Sequence, residues 1–222
     1  MMLLLNDVLT AAEVRDVRAR LERVQFADGA KTAGVYARTV KRNEQAEGGP
    51  ETQKLQEQVT AALFRHPQFE MAARPKNMKP IMFSRYEPGM AYGTHVDNAL
   101  MSGRPPVRSD LSFTIFLAQP DSYDGGELVV ESPAGDMPFK LPAGSAILYP
   151  SSTLHHVAPV THGVRIAAVS WVQSYVRDPA RREMLFDLET ARRSLFEREG
   201  KSREFDLVSK TFANLLRMWA EI

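Results

Sequence analysis

The sequence predicts a mainly β fold, a sandwich or barrel with helices flanking it at both ends. Three observations carry this. Residues 79–175 break into short β-rich runs separated by turn residues. Apolar residues at helical spacing occupy the chain before and after that stretch. Strands and helices do not alternate, which disfavours a parallel sheet built from βαβ units.

From the N-terminus, Thr10-Ala11-Ala12-Glu13 has the form of a capping box: the Thr10 hydroxyl accepts from the Glu13 N–H and the Glu13 side chain reaches back. Val14, Val17, Leu21 and Val24 follow at helical spacing and predict a helix over 11–24. Residues 26–50 are polar and contain Gly29, Gly34, Gly48 and Gly49, which reads as loop with a short strand at Val35-Tyr36-Ala37. Leu55, Val59, Leu63 and Phe64 predict a second helix over 51–65. The clearest strands are Ile81–Tyr86, Leu111–Ala118, Glu127–Glu131, Ala146–Tyr149 and Val164–Val176. Tyr123-Asp124-Gly125-Gly126 and Pro142-Ala143-Gly144 supply turns.

After Asp178-Pro179 the pattern becomes helical over 180–199 and 202–220. Leu185, Leu188, Ala191 and Leu195 make one apolar face, and Phe205, Val208, Phe212, Leu215 and Trp219 another. The expected organisation is therefore 1–78, helices and strands packing on the core; 79–177, the β core; and 178–222, a helical extension. That extension either packs on the core, the blander expectation, or forms a homo-oligomer interface.

Hydrophobic residues at 44% and charged residues at 25% of 222 fit a soluble globular enzyme. Lys and Arg number 28 against 27 Asp and Glu, so no nucleic-acid partner is expected. The absence of cysteine excludes disulfides, thiolate metal sites and cysteine nucleophiles. Met1 to Leu5 is apolar but short, with no basic segment before it and no cleavage site after it. Neither a signal peptide nor a membrane span is expected, and cytoplasmic residence is the default.

The chemistry-bearing residues begin at His95-Val96-Asp97. On an extended segment the two outer side chains share a face, so both can point at one ion while Val96 points away. His155-His156 offers a third ligand. Neighbours on a strand face opposite ways, so one of the two is expected to bind, and local chemistry leaves open which. Two histidines and a carboxylate form the ligand set of non-haem iron(II) oxygenases, with open positions opposite. Arg165, ten residues beyond His155, begins an apolar strand and needs an anionic partner: a protein carboxylate or a ligand carboxylate gripped by its planar fork. Tyr86 and Tyr92 flank the turn Glu87-Pro88-Gly89, where core packing is the commoner role. Gly125-Gly126-Glu127-Leu128 reads as a turn entering a strand.

The residues together resemble the prolyl-4-hydroxylase-type iron(II)/2-oxoglutarate dioxygenases. The resemblance rests on Tyr86-Glu87-Pro88-Gly89, on Tyr92-Gly93-Thr94-His95-Val96-Asp97-Asn98, and on His155 followed by Val157, Pro159-Val160, Gly163 and Arg165. It is strong over residues 79–175. Thr39-Val40-Lys41-Arg42-Asn43-Glu44-Gln45 and the helical tail resemble the bacterial PKHD-type hydroxylases, a subgroup associated with iron uptake.

This resemblance implies a double-stranded β-helix, or jelly roll, with helices outside. The distal histidine of the family lies four residues before the proline of such a run, which selects His155. His95, Asp97 and His155 are then the Fe(2+) ligands, Arg165 binds the 5-carboxylate of 2-oxoglutarate, and Tyr86 hydrogen-bonds the cosubstrate. L-ascorbate is the implied reductant. The implied reaction hydroxylates a C–H bond of a peptidyl or small-molecule substrate with O2, releasing succinate and carbon dioxide. No catalytic side chain beyond the metal centre is required. Two departures stand out: collagen-type members usually carry lysine where this chain has Arg165, and the strand Phe113-Thr114-Ile115-Phe116 lacks a tyrosine that some members place near the far carboxylate. A zinc or manganese hydrolase and a non-catalytic sensor of iron or 2-oxoglutarate are the alternative readings.

Overall fold

The computed structural model describes residues 1–222 and contains two antiparallel sheets whose inner faces share an apolar cluster. The larger sheet runs in the order Leu3–Leu5, Ala146–Pro150, Leu111–Phe116, Arg165–Ser174, Met82–Tyr86, Glu44–Ala46 and Phe26–Asp28, with Pro75–Met78 also pairing on Arg165–Ser174. The smaller sheet runs Met137–Phe139, Leu128–Val130, His155–Val157, Ala91–His95 and Lys41–Arg42. The chain crosses between the sheets again and again. Met82–Tyr86 leads to Ala91–His95, Leu111–Phe116 leads by way of the Tyr123–Gly125 strand to Leu128–Val130, and Ala146–Pro150 to His155–Val157 and back to Arg165–Ser174. That alternation makes the expected jelly roll.

The strand Leu111–Phe116 shows why one sheet serves two purposes. All six residues are buried. Leu111, Phe113 and Ile115 join the main core, whereas Ser112 and Thr114 line the cavity between the sheets. The period-two alternation of a strand produces this division. The main core is completed by three helices: α1 (Ala11–Leu21), α2 (Pro50–Arg65) and α3 (Pro67–Ala73). Val14, Val17 and Leu21 of α1 and Leu55, Val59 and Leu63 of α2 are all buried in it. The Thr10–Glu13 capping box forms as expected, with both reciprocal hydrogen bonds present. Phe69 of α3 is fully buried, edge-to-face with Phe64 at 5.4 Å and with Phe113 at 6.0 Å.

The C-terminal pair is α4 (Pro179–Glu199), capped by Asp178, and α5 (Arg203–Trp219), capped by Ser202. These helices pack on the body through Val176, Leu185 and Phe212. The expected apolar face of α4 is only partly realised. Leu185 is buried, but Ala191 is exposed while Arg182 and Glu189 are buried. Hydrogen bonds make this tolerable: Arg182 donates to the carbonyls of Val176 and Arg177, and Glu189 accepts from Arg192 and Arg193.

The strand expected at Val35-Tyr36-Ala37 does not form. Val35 and Tyr36 lie in a turn and Ala37 opens a 3-10 helix, Ala37–Val40. Local bonds, Arg38 N–H to Gly34 O and Thr39 N–H to Tyr36 O, replace a ladder, and Val35 and Tyr36 are 77% and 90% exposed. The strands of this region lie on either side instead, at Phe26–Asp28, Lys41–Arg42 and Glu44–Ala46. Helix α3 and the strands Pro75–Met78 and Ala91–His95 were not anticipated, being short, with Pro67 and Pro75 at the starts of the first two and Gly93 interrupting the third. The segment Tyr123–Gly125, read as turn, pairs with Val160–Gly163 before the chain turns.

Phe69→Ala removes the aromatic ring that joins the helices to the larger sheet. We expect a loss of about 3–5 kcal/mol in denaturant-induced unfolding; a change under about 1 kcal/mol would show that the site collapses around the gap.

Candidate active site

Strand register brings the metal-ligand candidates together. Gly89, with a φ of 87°, turns the chain after Met82–Tyr86 so that Ala91–His95 enters the opposite sheet. There His95 pairs with His155. Asp97 follows two residues later, and Val96 between them is half exposed. One ligand atom from each of His95, Asp97 and His155 lies within 4.8 Å of the others. His155 Nε2 is 3.7 Å from Asp97 Oδ2. His156, the other half of the pair, pairs with Val129 and stays outside this group.

Each candidate ligand is held from behind. His95 Nδ1 lies 2.9 Å from Gly93 O and His155 Nδ1 lies 2.9 Å from Thr153 O. With Nδ1–H donating to those carbonyls, both Nε2 lone pairs are available for a cation. Ser112 Oγ donates to Asp97 Oδ2 at 2.6 Å and shares a 2.7 Å hydrogen bond with Ser151 Oγ. Tyr92 stacks on the His95 ring at 3.7 Å, and Tyr149 meets the His155 ring edge-on at 5.1 Å. Burial, reinforced by the neighbouring His155, pushes the His95 imidazolium down to about 4. His95 is therefore neutral at physiological pH, the form that binds metal.

The same cavity contains Arg165 and Tyr86, which sit opposite each other across adjacent strands. Arg165 is 1% exposed. It forms no ion pair with any protein carboxylate, and its Nε has no hydrogen-bond partner. Aromatic rings flank it instead: Tyr86 at 5.0 Å and Phe116 at 5.6 Å from the guanidinium carbon. The buried Tyr123 hydroxyl stands beside it without meeting hydrogen-bond geometry. Its stem runs past Gly126, where φ is 67° and a methyl group would lie 3.1 Å from Cδ. That glycine is thus part of the Arg165 packing as well as a turn. Burial raises the phenol pKa values of Tyr86 and Tyr149, keeping both as neutral donors. Tyr149 comes from the strand next to Phe113–Phe116, so the cavity has a tyrosine although that strand does not.

Several cavity residues were missed in the sequence. Ser112 and Ser151 support Asp97, and Tyr149 is a wall residue. Lys41, Asn43 and Gln45 form another wall, all buried and all lining the cavity. Their i, i+2, i+4 spacing was the available signal, since alternate residues of an extended chain share a face.

Two imidazoles and one carboxylate grouped on a cavity wall fit iron(II). A buried guanidinium lacking an anion fits a carboxylate ligand. Fold and site together define the class of iron(II)/2-oxoglutarate oxygenases. Residues 81–173 match the model of the 2OG-Fe(II) oxygenase superfamily, and residues 179–221 match the PKHD-type hydroxylase C-terminal domain. The chain is 54% identical over 224 residues to a PKHD-type hydroxylase of Synechococcus sp. (strain JA-2-3B'a(2-13)), covering all of both chains. It is 54% identical over 222 residues to one from Acaryochloris marina, again covering all of both. The chain belongs to the PKHD-type hydroxylase family.

Among solved structures the fold is similar to a prolyl-4-hydroxylase of Pseudomonas putida, at TM-score 0.55 and 18% identity over 78% of this chain and 92% of that one. It is also similar to a prolyl hydroxylase from Trichoplax adhaerens in complex with a hypoxia-inducible factor peptide fragment, at TM-score 0.59 and 15% identity over 78% and 83%. Family membership makes this protein a hydroxylase of the oxidoreductase class and implies Fe(2+) and 2-oxoglutarate. The hydrolase and non-catalytic alternatives are thereby set aside. No helix is long and apolar enough to cross a membrane.

The Ser112 hydrogen bond restrains the Asp97 carboxylate through Oδ2. Ser112→Ala should weaken iron(II) binding by about 10–100-fold in anaerobic calorimetry, the usual cost of losing such an outer support. Unchanged affinity would show that the Asp97 carboxylate needs no positioning.

Proposed function

We propose that this protein hydroxylates an acceptor C–H bond with His95, Asp97 and His155 holding Fe(2+), Arg165 gripping the 5-carboxylate of 2-oxoglutarate and Tyr86 orienting that cosubstrate. The observation that carries this reading is the Arg165 guanidinium, buried without a protein anion in the cavity that also contains the two histidines and the aspartate. A structural ion pair would explain a buried arginine equally well, but no such pair exists here. The cost of leaving that charge unpaired is best accounted for by a ligand that supplies the carboxylate.

Iron(II) with 2-oxoglutarate bound supplies oxidative decarboxylation to succinate and carbon dioxide, coupled to C–H hydroxylation by O2. The chain's own contribution is geometric and electrostatic. His95 and His155 present ring nitrogens, oriented by Gly93 O and Thr153 O. Asp97 presents the oxygen that Ser112 positions. Arg165 would hold the far carboxylate of the cosubstrate by charge-assisted hydrogen bonds. Tyr86 and Phe116 flank the guanidinium and exclude water around it, which strengthens such bonds. In this reading residues 79–177 are the catalytic core, 1–78 add strands and a cavity wall, and 178–222 are a helical extension. L-ascorbate is the reductant, and a role connected with iron uptake is the physiological setting.

Anaerobic addition of iron(II) and 2-oxoglutarate should produce the visible charge-transfer band of the chelate. Arg165→Ala should weaken 2-oxoglutarate binding by about 2–5 kcal/mol while iron(II) binding persists. An unaltered 2-oxoglutarate affinity in that variant would contradict the assignment.

A further inference from the structure

The cavity contains a second buried cation without an anionic partner. Lys41 is 6% exposed and lines the same space as the histidines, Asp97 and Arg165. Its ammonium makes one hydrogen bond, to Thr32 Oγ1 at 3.0 Å, and no ion pair. It stands 5.0 Å over the Tyr92 ring, and Tyr92 stacks on His95, so this charge is tied to the metal end of the cavity. Burial lowers its pKa to about 8 although Asp97 and Asp28 attract it. Two residues along the same face, Asn43 is buried beside the Tyr86 hydroxyl, with neither amide atom meeting hydrogen-bond geometry. An ammonium has three donors and an amide two, so this wall holds several buried donors with nothing to donate to.

Charge accounting indicates what is missing, resting on the function proposed above. Asp97 is the sole carboxylate lining the cavity. Asp97 and the two carboxylates of 2-oxoglutarate together match iron(II) and Arg165. Succinate, the coproduct, is also a dianion, so the match survives turnover. Lys41 is the charge left over, and a desolvated unmatched cation is costly.

Directly outside, an apolar rim borders a groove that reaches His95 and Asp97: Val35, Tyr36, Val40, Val96 and Leu154, all exposed. Such a rim beside a reactive centre suits an apolar body on the ligand. We propose that the acceptor substrate is a carboxylic acid with an apolar body: Lys41 binds the carboxylate, Asn43 adds an amide donor, and the rim holds the remainder beside the metal centre. Lys41 is thus a specificity-determining residue, and the N-terminal segment 29–46 is the part of the chain that selects the substrate.

The carboxylate could be the C-terminus of a peptide or belong to a non-peptidic organic acid, and matched probes separate the two. Protein loaded with manganese(II) and 2-oxoglutarate is titrated calorimetrically with N-acetyl-leucine, N-acetyl-phenylalanine and N-acetyl-proline, and with 4-phenylbutanoate, each as free acid and as carboxamide. At least one acid should bind about tenfold or more tightly than its amide, the scale of one charge-assisted hydrogen bond. Preference among the acetylated amino acids indicates a peptide terminus, and preference for the phenylalkanoate a free organic acid. Lys41→Met should abolish the acid-over-amide preference, Lys41→Arg should keep it, and 2-oxoglutarate should bind the two variants and the native protein alike. An acid-to-amide ratio near one throughout the native panel overturns the proposal, as does a preference that survives Lys41→Met. Weakened 2-oxoglutarate binding in Lys41→Met also overturns it, by assigning Lys41 to the cosubstrate. Failure of the native protein to bind 2-oxoglutarate at all would instead overturn the function on which it rests.

Discussion

The desolvation of Arg165 is the constraint around which this site is organised. A guanidinium placed between two sheets loses its hydration, and here no aspartate or glutamate restores what is lost. Tyr86 and Phe116 cover it, Gly126 makes room for its stem, and its free donors face the cavity. A core designed for stability alone would place an apolar residue there, since replacing a buried charge by a well-packed hydrophobe is often neutral or stabilising. The charge makes physical sense as one half of a pair whose other half arrives with a ligand.

The second requirement is register. His95 and His155 face each other because Ala91–His95 and His155–Val157 are adjacent antiparallel strands in the smaller sheet. Arg165 and Tyr86 face each other because Arg165–Ser174 and Met82–Tyr86 are adjacent in the larger one. A slip of one residue in either pair would turn a set of these side chains away from the cavity. The fully buried strand Leu111–Phe116 resists such slips, since its two faces carry different chemistry: Phe113 and Ile115 toward the helices, Ser112 toward Asp97. Packing of the main core and positioning of the candidate metal ligands are therefore one structural problem.

Much of this was legible in the sequence, for identifiable reasons. The helices α1, α2, α4 and α5 announced themselves by apolar spacing, and α1 also by the cap at Thr10, which are local signals. Four strands of the larger sheet, Met82–Tyr86, Leu111–Phe116, Ala146–Pro150 and Arg165–Ser174, were visible because they are its longest, while its shorter strands were not. His95, Asp97, His155 and Arg165 stood out as residue types that seldom occur in such runs without a reason, and family resemblance resolved His155 from His156. The supporting contacts were not legible, because Ser112 reaches Asp97 across fifteen residues and the Tyr149 ring meets His155 from a strand of the other sheet. The misplaced strand at Val35–Ala37 has a different origin. Its β-prone residues form an exposed apolar rim instead of a ladder, and local propensity does not distinguish the two outcomes. Lys41, Asn43 and Gln45 lie in a family-like stretch, and their alternation puts all three in the cavity only because the segment is extended there.

Turnover under isotopically labelled dioxygen tests the central claim most directly. An oxygenase that couples 2-oxoglutarate decarboxylation to hydroxylation must place one atom of each consumed O2 molecule in succinate and direct the other to the acceptor. The account predicts succinate carrying a single labelled oxygen, formed in step with 2-oxoglutarate loss and only when iron(II) is present. Unlabelled succinate, or 2-oxoglutarate left intact by iron-loaded protein supplied with O2 and ascorbate, would contradict it.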